Sequence, residues 1–318
     1  METAGVYRRF AEGEVRGRSA VYEGLALGIS EDPGVLALID GLPVARRQPN
    51  LLLAAVRFLG GPVEDYPAFR EWVTAHWPRL HTTMLERRTQ TNEPGRCATL
   101  LPVLAGLPQP LALIEVGASA GLCLYPDRYR YRYDDLPPLG PADGPVLACR
   151  TAGPVPIPER PPSVVWRAGV DLNPLDVRSA QDVRWLECLV WPGQPDRLDR
   201  LREAVRVARA DPPFLVRGDL NRIVRDLVSR VPSGATPVVM HSAVLAYLSP
   251  EERDTFVTAT RDLPGHWISN EAPHVLPSVA ARLPRPIPRH RATFVLSLDG
   301  HPLALTDPHG GSMEWLTP

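Results

Sequence analysis

Lysine is absent from all 318 residues, so every basic side chain is arginine. Schiff-base chemistry and lysine-dependent phosphate loops are thereby excluded, because both need an ammonium group. Cysteine is scarce: Cys97, Cys123, Cys149 and Cys188 stand far apart, without the close pairing of a zinc knuckle or a redox CxxC. They read as reduced core thiols, and no metal site is expected. Excess charge is missing too, since a net charge of −1 offers no footprint for nucleic acid or an anionic membrane. Apolar runs such as Leu51 to Val56 and Leu111 to Val116 fall far short of the ~20 residues of a membrane span. The start mixes Glu2, Glu12 and Glu14 with arginines, so no signal peptide is expected. What is present, 44% hydrophobic and 22% charged residues with 37 prolines, fits a folded globular chain. The expectation is a cytoplasmic protein acting on a small molecule, with no nucleic-acid or membrane partner; its oligomeric state is unspecified.

Periodicity divides the chain. Apolar residues recur at helical spacing over 6–29 (Val6, Phe10, Val15, Tyr22, Leu25), and helices are expected at Asn50 to Leu59, Tyr66 to Trp77 and Asn92 to Leu104, with Asn92 as N-cap. Residues 1–110 thus read as an N-terminal helical cap. After Pro108-Gln109-Pro110, short apolar runs alternate with amphipathic segments. Strands are expected at Leu111 to Val116, Val164 to Val170, Pro213 to Val216, Pro237 to His241 and His266 to Ser269. Helices are expected near Asp182 to Ala210, Leu220 to Val231 and Ser249 to Arg261, and a β-hairpin turns at Asp299-Gly300. The Pro-rich segment 134–163 reads as an insertion with an exposed ribbon made of Tyr129 to Tyr133 and Val146 to Arg150. Alternation of apolar strands with helices implies a parallel sheet covered on both faces, in a domain spanning 111–318.

Chemistry concentrates after the first strand. Leu111-Ala-Leu-Ile-Glu-Val-Gly-Ala-Ser-Ala-Gly121 is an apolar strand ending in an acidic residue and a small-residue turn expected to open a helix. It resembles the first motif of Rossmann-like S-adenosylmethionine-dependent methyltransferases, with Gly117 and Gly121 matching and Ser119 in place of the middle glycine. Later segments follow that family's order. Asp171, ending Ala168-Gly-Val-Asp, resembles the carboxylate that holds the ribose hydroxyls, followed by Leu172. Asp219, with Leu220 after it, resembles the residue beside the adenine, and the closing hairpin resembles the family's antiparallel strands. The resemblance implies a three-layer α/β sheet with S-adenosylmethionine held by Glu115, Gly117, Ala118, Ser119, Gly121, Asp171, Leu172, Asp219 and Leu220. One departure stands out: Asp134 and Asp135 lie nearer the customary twenty-residue spacing than Asp171 does, although Asp171 ends the better buried strand. Over nearly its whole length, through Arg46-Arg-Gln-Pro-Asn50, Thr91-Asn-Glu-Pro-Gly-Arg96 and Asp307-Pro-His-Gly310, the chain also resembles an uncharacterised bacterial family, domain of unknown function 2332.

Other polar residues are candidates for the reaction itself. His241 and Tyr247, after the fourth parallel strand, stand where the methyltransferase family places substrate-facing groups, with His241 an optional base; Glu271 and His309 are placed similarly. Arg88, Asn92, Glu93 and Arg96 crowd one loop and helix start, suited either to holding a polar substrate through arginine or to a solvated, capped loop. Gly117-Ala-Ser-Ala-Gly121 also satisfies the GxSxG pattern of a serine hydrolase with Ser119 as nucleophile, yet that fold places several strands before the elbow whereas residues 1–110 read as helical, and no oxyanion-hole glycine cluster stands before Ser119. A third reading is ligand or partner binding without catalysis.

Overall fold

The structure is a computed structural model that describes residues 2–90, 92–287 and 292–316. The chain divides into two compact units, Met1–Thr91 with Arg178–Asp199, and Asn92–Val177 with Arg200–Pro318. Among the described residues no helix is long and apolar enough to cross a membrane.

The first unit is helical. The stretch expected to run through 6–29 breaks in two, because its first helix ends near Val15 and Ser19 caps a new one, Ala20–Glu31, by accepting from the Tyr22 N–H. The helix that begins at Tyr66 does not stop at Trp77 but runs through Pro78 to Glu86. Trp185, fully buried, donates its indole N–H to the Arg88 carbonyl at 2.9 Å. Arg87 pairs with Asp182 at 2.6 Å beside the rings of Phe58 and Trp185.

The second unit carries a mixed sheet. Its strands are β1 (Leu111–Val116), β2 (Arg130–Tyr133), β3 (Val146–Ala152), β4 (Val164–Asp171), β5 (Phe214–Arg217), β6 (Thr236–Ser242), β7 (His266–Glu271), β8 (Phe294–Leu298), β9 (His301–Thr306) and β10 (Ser312–Trp315). They lie in the order β2-β3-β10-β9-β8-β7-β6-β1-β4-β5, giving a mixed α/β architecture as the alternating pattern predicts. The run β5-β4-β1-β6-β7 is parallel, and β8 to β10 return antiparallel. Beside β1 the chain order reverses: successive strands step away through β4 and β5, then through β6 and β7. Such a switch point leaves a crevice at the carboxyl ends of the strands.

Every residue of β1 is buried, as a central strand covered on both faces must be. On one face Ile114 and Val116 join Ala168, Val170 and Val239 under Val224, Leu227 and Val228 of helix Leu220–Ser229 and Phe256 of helix Pro250–Arg261. Each of these valine, leucine, isoleucine and phenylalanine side chains stabilises by about 1.5–3 kcal/mol. On the other face Glu115 stands in register with Gly169 and Met240.

Three expectations are corrected. The glycine turn opens no long helix, only the 3-10 turn Leu122–Leu124, and the path from β1 to β4 contains no α-helix. The ribbon is not exposed on both faces: β2 and β3 run parallel and join the sheet through β10, with Tyr131 and Tyr133 buried on one side and the arginines pointing outward. The segment expected as one helix over 182–210 is two, Ala180–Leu189 and Pro195–Ala210, broken at Trp191-Pro-Gly.

Candidate functional site

The glycine turn is held from three sides within the second unit. Gly117 and Ala118 donate their N–H groups to the Val170 carbonyl, at 2.8 and 3.2 Å. The Ser119 N–H donates to Asp171 Oδ2 at 2.8 Å, and its carbonyl accepts from the Leu175 N–H. Asn92 clasps the turn at both ends, Nδ2 donating to the Ala118 carbonyl at 3.3 Å and Oδ1 accepting from the Leu122 N–H at 3.1 Å. Gly117, at φ +70°, passes so close to the end of β6 that a β-carbon there would meet the Val244 β-carbon at 2.7 Å. Gly121, at φ +71°, closes the turn against Pro213.

Asn92 is thus a clasp and not an N-cap. Glu93 takes the capping role, its Oε1 accepting from the Gly95 N–H and from Arg200 Nε, both at 3.0 Å, ahead of helix Cys97–Gly106. Arg96, only 5% exposed, donates Nε to the Pro308 carbonyl at 2.8 Å and Nη1 to the Ser242 carbonyl at 3.1 Å. Arg88 is exposed in the first unit. Thr91 lies outside the described residues.

At the carboxyl ends of β1, β4 and β5 stand Glu115, Asp171 and Asp219 in turn. Burial pushes the Glu115 carboxyl well above its ordinary value, with Cys123 and Asp171 adding to the rise and Arg96 opposing it. Asp171 is half-buried and also accepts from the Asn173 N–H at 2.7 Å. Leu172, beside it, is 63% exposed. Asp219 caps helix Leu220–Ser229 through the Asn221 N–H, and Leu220 belongs to the core. Asp134, the alternative carboxylate, accepts from the Thr151 N–H and hydroxyl between β2 and β3.

The expected base is built into the core. His241 Nδ1 lies 2.8 Å from Glu271 Oε1, and Trp267 Nε1 lies 3.0 Å from His241 Nε2. An indole N–H only donates, so Nε2 is the acceptor and the ring proton sits on Nδ1, directed at Glu271. With both nitrogens engaged and the ring buried between Phe256 and Trp267, His241 has no lone pair facing a substrate. Glu271 Oε1 also receives the Val244 and Leu245 N–H groups, fixing the residue that packs on Gly117. Tyr247 is 74% exposed just beyond.

Ser119 is 3% exposed at φ +52°, and its Oγ has no hydrogen-bond partner among the described residues, nor have Glu115 Oε2, Ser242 Oγ and Asn270 Nδ2. Buried polar atoms without partners call for water or ligand atoms. Sequence reasoning missed Ser242, Asn270 and Trp267, which carry no motif and matter only through the register of β6 with β7.

Two of the quoted sequence motifs meet here. A β-carbon on Gly95 would fall 2.5 Å from the His309 carbonyl oxygen, and one on Gly310 would fall 2.7 Å from the Arg96 nitrogen, so the backbones at 95–96 and 309–310 touch. A family model described as "Uncharacterized protein conserved in bacteria (DUF2332)" matches residues 4–315. The chain belongs to that family. No curated protein and no solved structure matches it. As a member of DUF2332 it carries its three quoted motifs at 46–50, 91–96 and 307–310, all inside the matched span.

Proposed function

We propose that the chain binds S-adenosylmethionine across the carboxyl ends of β1, β4 and β5 and transfers its methyl group to a small polar molecule, on a Rossmann-like sheet of methyltransferase type. The observation that carries this reading is the Asp171 carboxylate, anchored on the Ser119 N–H beside the glycine turn at the point where the strand order reverses. Ligands of open α/β sheets collect at such a point.

The donor set supports the choice of cofactor. Glu115, Asp171 and Asp219 are acceptor-rich and suit a ligand that donates, through an ammonium group, ribose hydroxyls and an exocyclic amine. They do not suit a pyrophosphate, which favours the N-terminus of a long helix; this turn leads only into Leu122–Leu124. The partnerless Glu115 Oε2 and Ser119 Oγ are consistent with further ligand contacts. Leu172 offers an exposed apolar surface next to Asp171.

When bound, the cofactor supplies a methyl group already activated by the sulfonium. The chain's residues then have to orient and desolvate the acceptor, and a base is not obligatory, which agrees with a fully engaged His241. The hydrolase alternative needs Ser119 bonded to a base, whereas its Oγ makes no such bond.

Calorimetric titration of the full chain with S-adenosylmethionine and S-adenosylhomocysteine tests the reading, with a fluorophosphonate probe in parallel. Saturable binding of both ligands and no adduct at Ser119 is expected. Absence of binding, or a stable Ser119 adduct, overturns it.

A further inference from the structure

Arg96 is a buried cation with an unusual set of partners. Its two hydrogen bonds run to main-chain carbonyls, Pro308 and Ser242, and it makes no ion pair among the described residues. Glu115, on which Arg96 acts, is pushed toward its uncharged form by burial, the pull of Arg96 notwithstanding. A guanidinium taken out of water and hydrogen-bonded only to main-chain carbonyls among the described residues is costly, and an incoming anion relieves that cost. Nε and Nη1 are occupied, which fixes the plane of the guanidinium and leaves Nη2 without a hydrogen bond among the described residues.

Further donors stand at the same end of the sheet. Ser242 Oγ, at the end of β6, and Asn270 Nδ2, its register neighbour on β7, are buried without partners. Asn270 is held by its other amide atom, Oδ1 accepting from Thr306 Oγ1 at 2.7 Å. Gly117, Ala243 and Val244 around them are half-buried, so the crevice reaches solvent there.

We propose that the methyl acceptor carries a carboxylate, which sits on the Arg96 guanidinium between the ends of β1 and β6 with Ser242 Oγ as a second donor. This rests on the cofactor reading above and names the substrate class for it. Side decides between acceptor and cofactor: the acidic residues assigned to the cofactor extend from β1 toward β4 and β5, whereas Arg96 is tied to β6 on the opposite side of β1. Charge decides between carboxylate and phosphate. One guanidinium matches one negative charge, and its two hydrogen bonds to main-chain carbonyls leave a single free edge to receive it.

The test uses an acid and its isosteric amide, butyrate and butyramide, titrated by ligand-observed NMR into the full chain with and without saturating S-adenosylhomocysteine. Butyrate should bind about tenfold more tightly than butyramide, the worth of one charge-assisted pair. Arg96→Gln should abolish that preference while S-adenosylhomocysteine affinity stays within about threefold. Should that variant not fold, Ser242→Ala leaves both carbonyl anchors of Arg96 in place and should weaken butyrate, but not butyramide, by about threefold. Equal binding of acid and amide by the unaltered chain overturns the proposal. So does an Arg96→Gln variant that loses S-adenosylmethionine but not its decarboxylated analogue, since Arg96 would then hold the cofactor's own carboxylate. Failure of S-adenosylhomocysteine to bind sinks the cofactor reading instead, and the acid-to-amide ratio measured without it still decides the Arg96 site.

Discussion

Replacing Gly117 tests why a glycine stands at the head of the turn. A β-carbon there would lie 2.7 Å from Val244 Cβ, 3.2 Å from Cγ1 and closer still to Cγ2, at a φ of +70°. Gly117→Ala therefore meets two penalties: about 1–2 kcal/mol for a left-handed backbone and about 1–3 kcal/mol for overpacking. The sum, about 2–5 kcal/mol, is a large part of a typical folding stability. The overpacking share belongs to Val244 and is recoverable. Val244→Ala removes both γ-carbons but leaves the 2.7 Å contact, so it should recover about 1 kcal/mol of coupling, while Val244→Gly, which removes all three atoms, should recover nearly the whole overpacking share. The left-handed penalty should remain in both double variants. Urea-unfolding midpoints for the singles and doubles complete the cycle, with Val244 variants alone as references. Additivity within about 0.5 kcal/mol would refute the packing account and leave close approach to a ligand as the reason for the glycine.

Asp171→Ala should weaken S-adenosylmethionine by about 1.5–3 kcal/mol, one to two decades, whereas Asp134→Ala, whose carboxylate serves Thr151 between β2 and β3, should change it little; paired titrations giving the reverse ranking would move the ribose site. Glu115→Gln should alter the pH dependence of stability. Burial raises the native Glu115 carboxyl above its ordinary value of 4.5, so the native state keeps a proton that the unfolded chain releases, and the contribution is complete below 4.5 and lost as pH climbs toward the raised value. Glutamine has no proton to lose, so its advantage over the parent should widen as pH rises above 4.5; a flat difference in urea midpoints would refute the assignment.

Much of the sheet was legible because its strands are bounded by clear signals. β1 is wholly apolar but for Glu115, and the Asp299-Gly300 turn marks the hairpin between β8 and β9. β10 was not legible, since Ser-Met-Glu-Trp has too little apolar alternation to announce a strand. The period-two pattern of Arg130-Tyr-Arg-Tyr133 was visible, yet local sequence does not say that its tyrosine face is covered; the Tyr133 hydroxyl reaches the Ala98 carbonyl at 2.6 Å, and that neighbour is 35 positions away. The candidate site divides in the same way. Asp171 meets the glycine turn although the customary spacing favours Asp134 and Asp135, the burial of its strand having been the better guide, and Asn92, Glu93 and Arg96 do gather near that turn, though Asn92 and Glu93 are spent on main-chain and salt-bridge partners. His241 shows the limit most plainly: its sequence position says nothing of Trp267, and the indole decides which nitrogen carries the proton.

The contact between residues 95–96 and 309–310 has a consequence for how the protein is made. Arg96 takes one of its two anchors from Pro308, 212 positions downstream, and closing so long a loop is among the slow, entropically unfavourable steps of folding. During synthesis the Asn92–Arg96 segment leaves the ribosome long before Pro308 does. Arg96 then holds at most its Ser242 anchor once β6 has emerged, and the crevice beside the glycine turn gains its final orientation only when the 307–310 turn arrives. A nascent chain interrupted after β9 would carry nearly the whole parallel sheet and still lack a fully positioned Arg96.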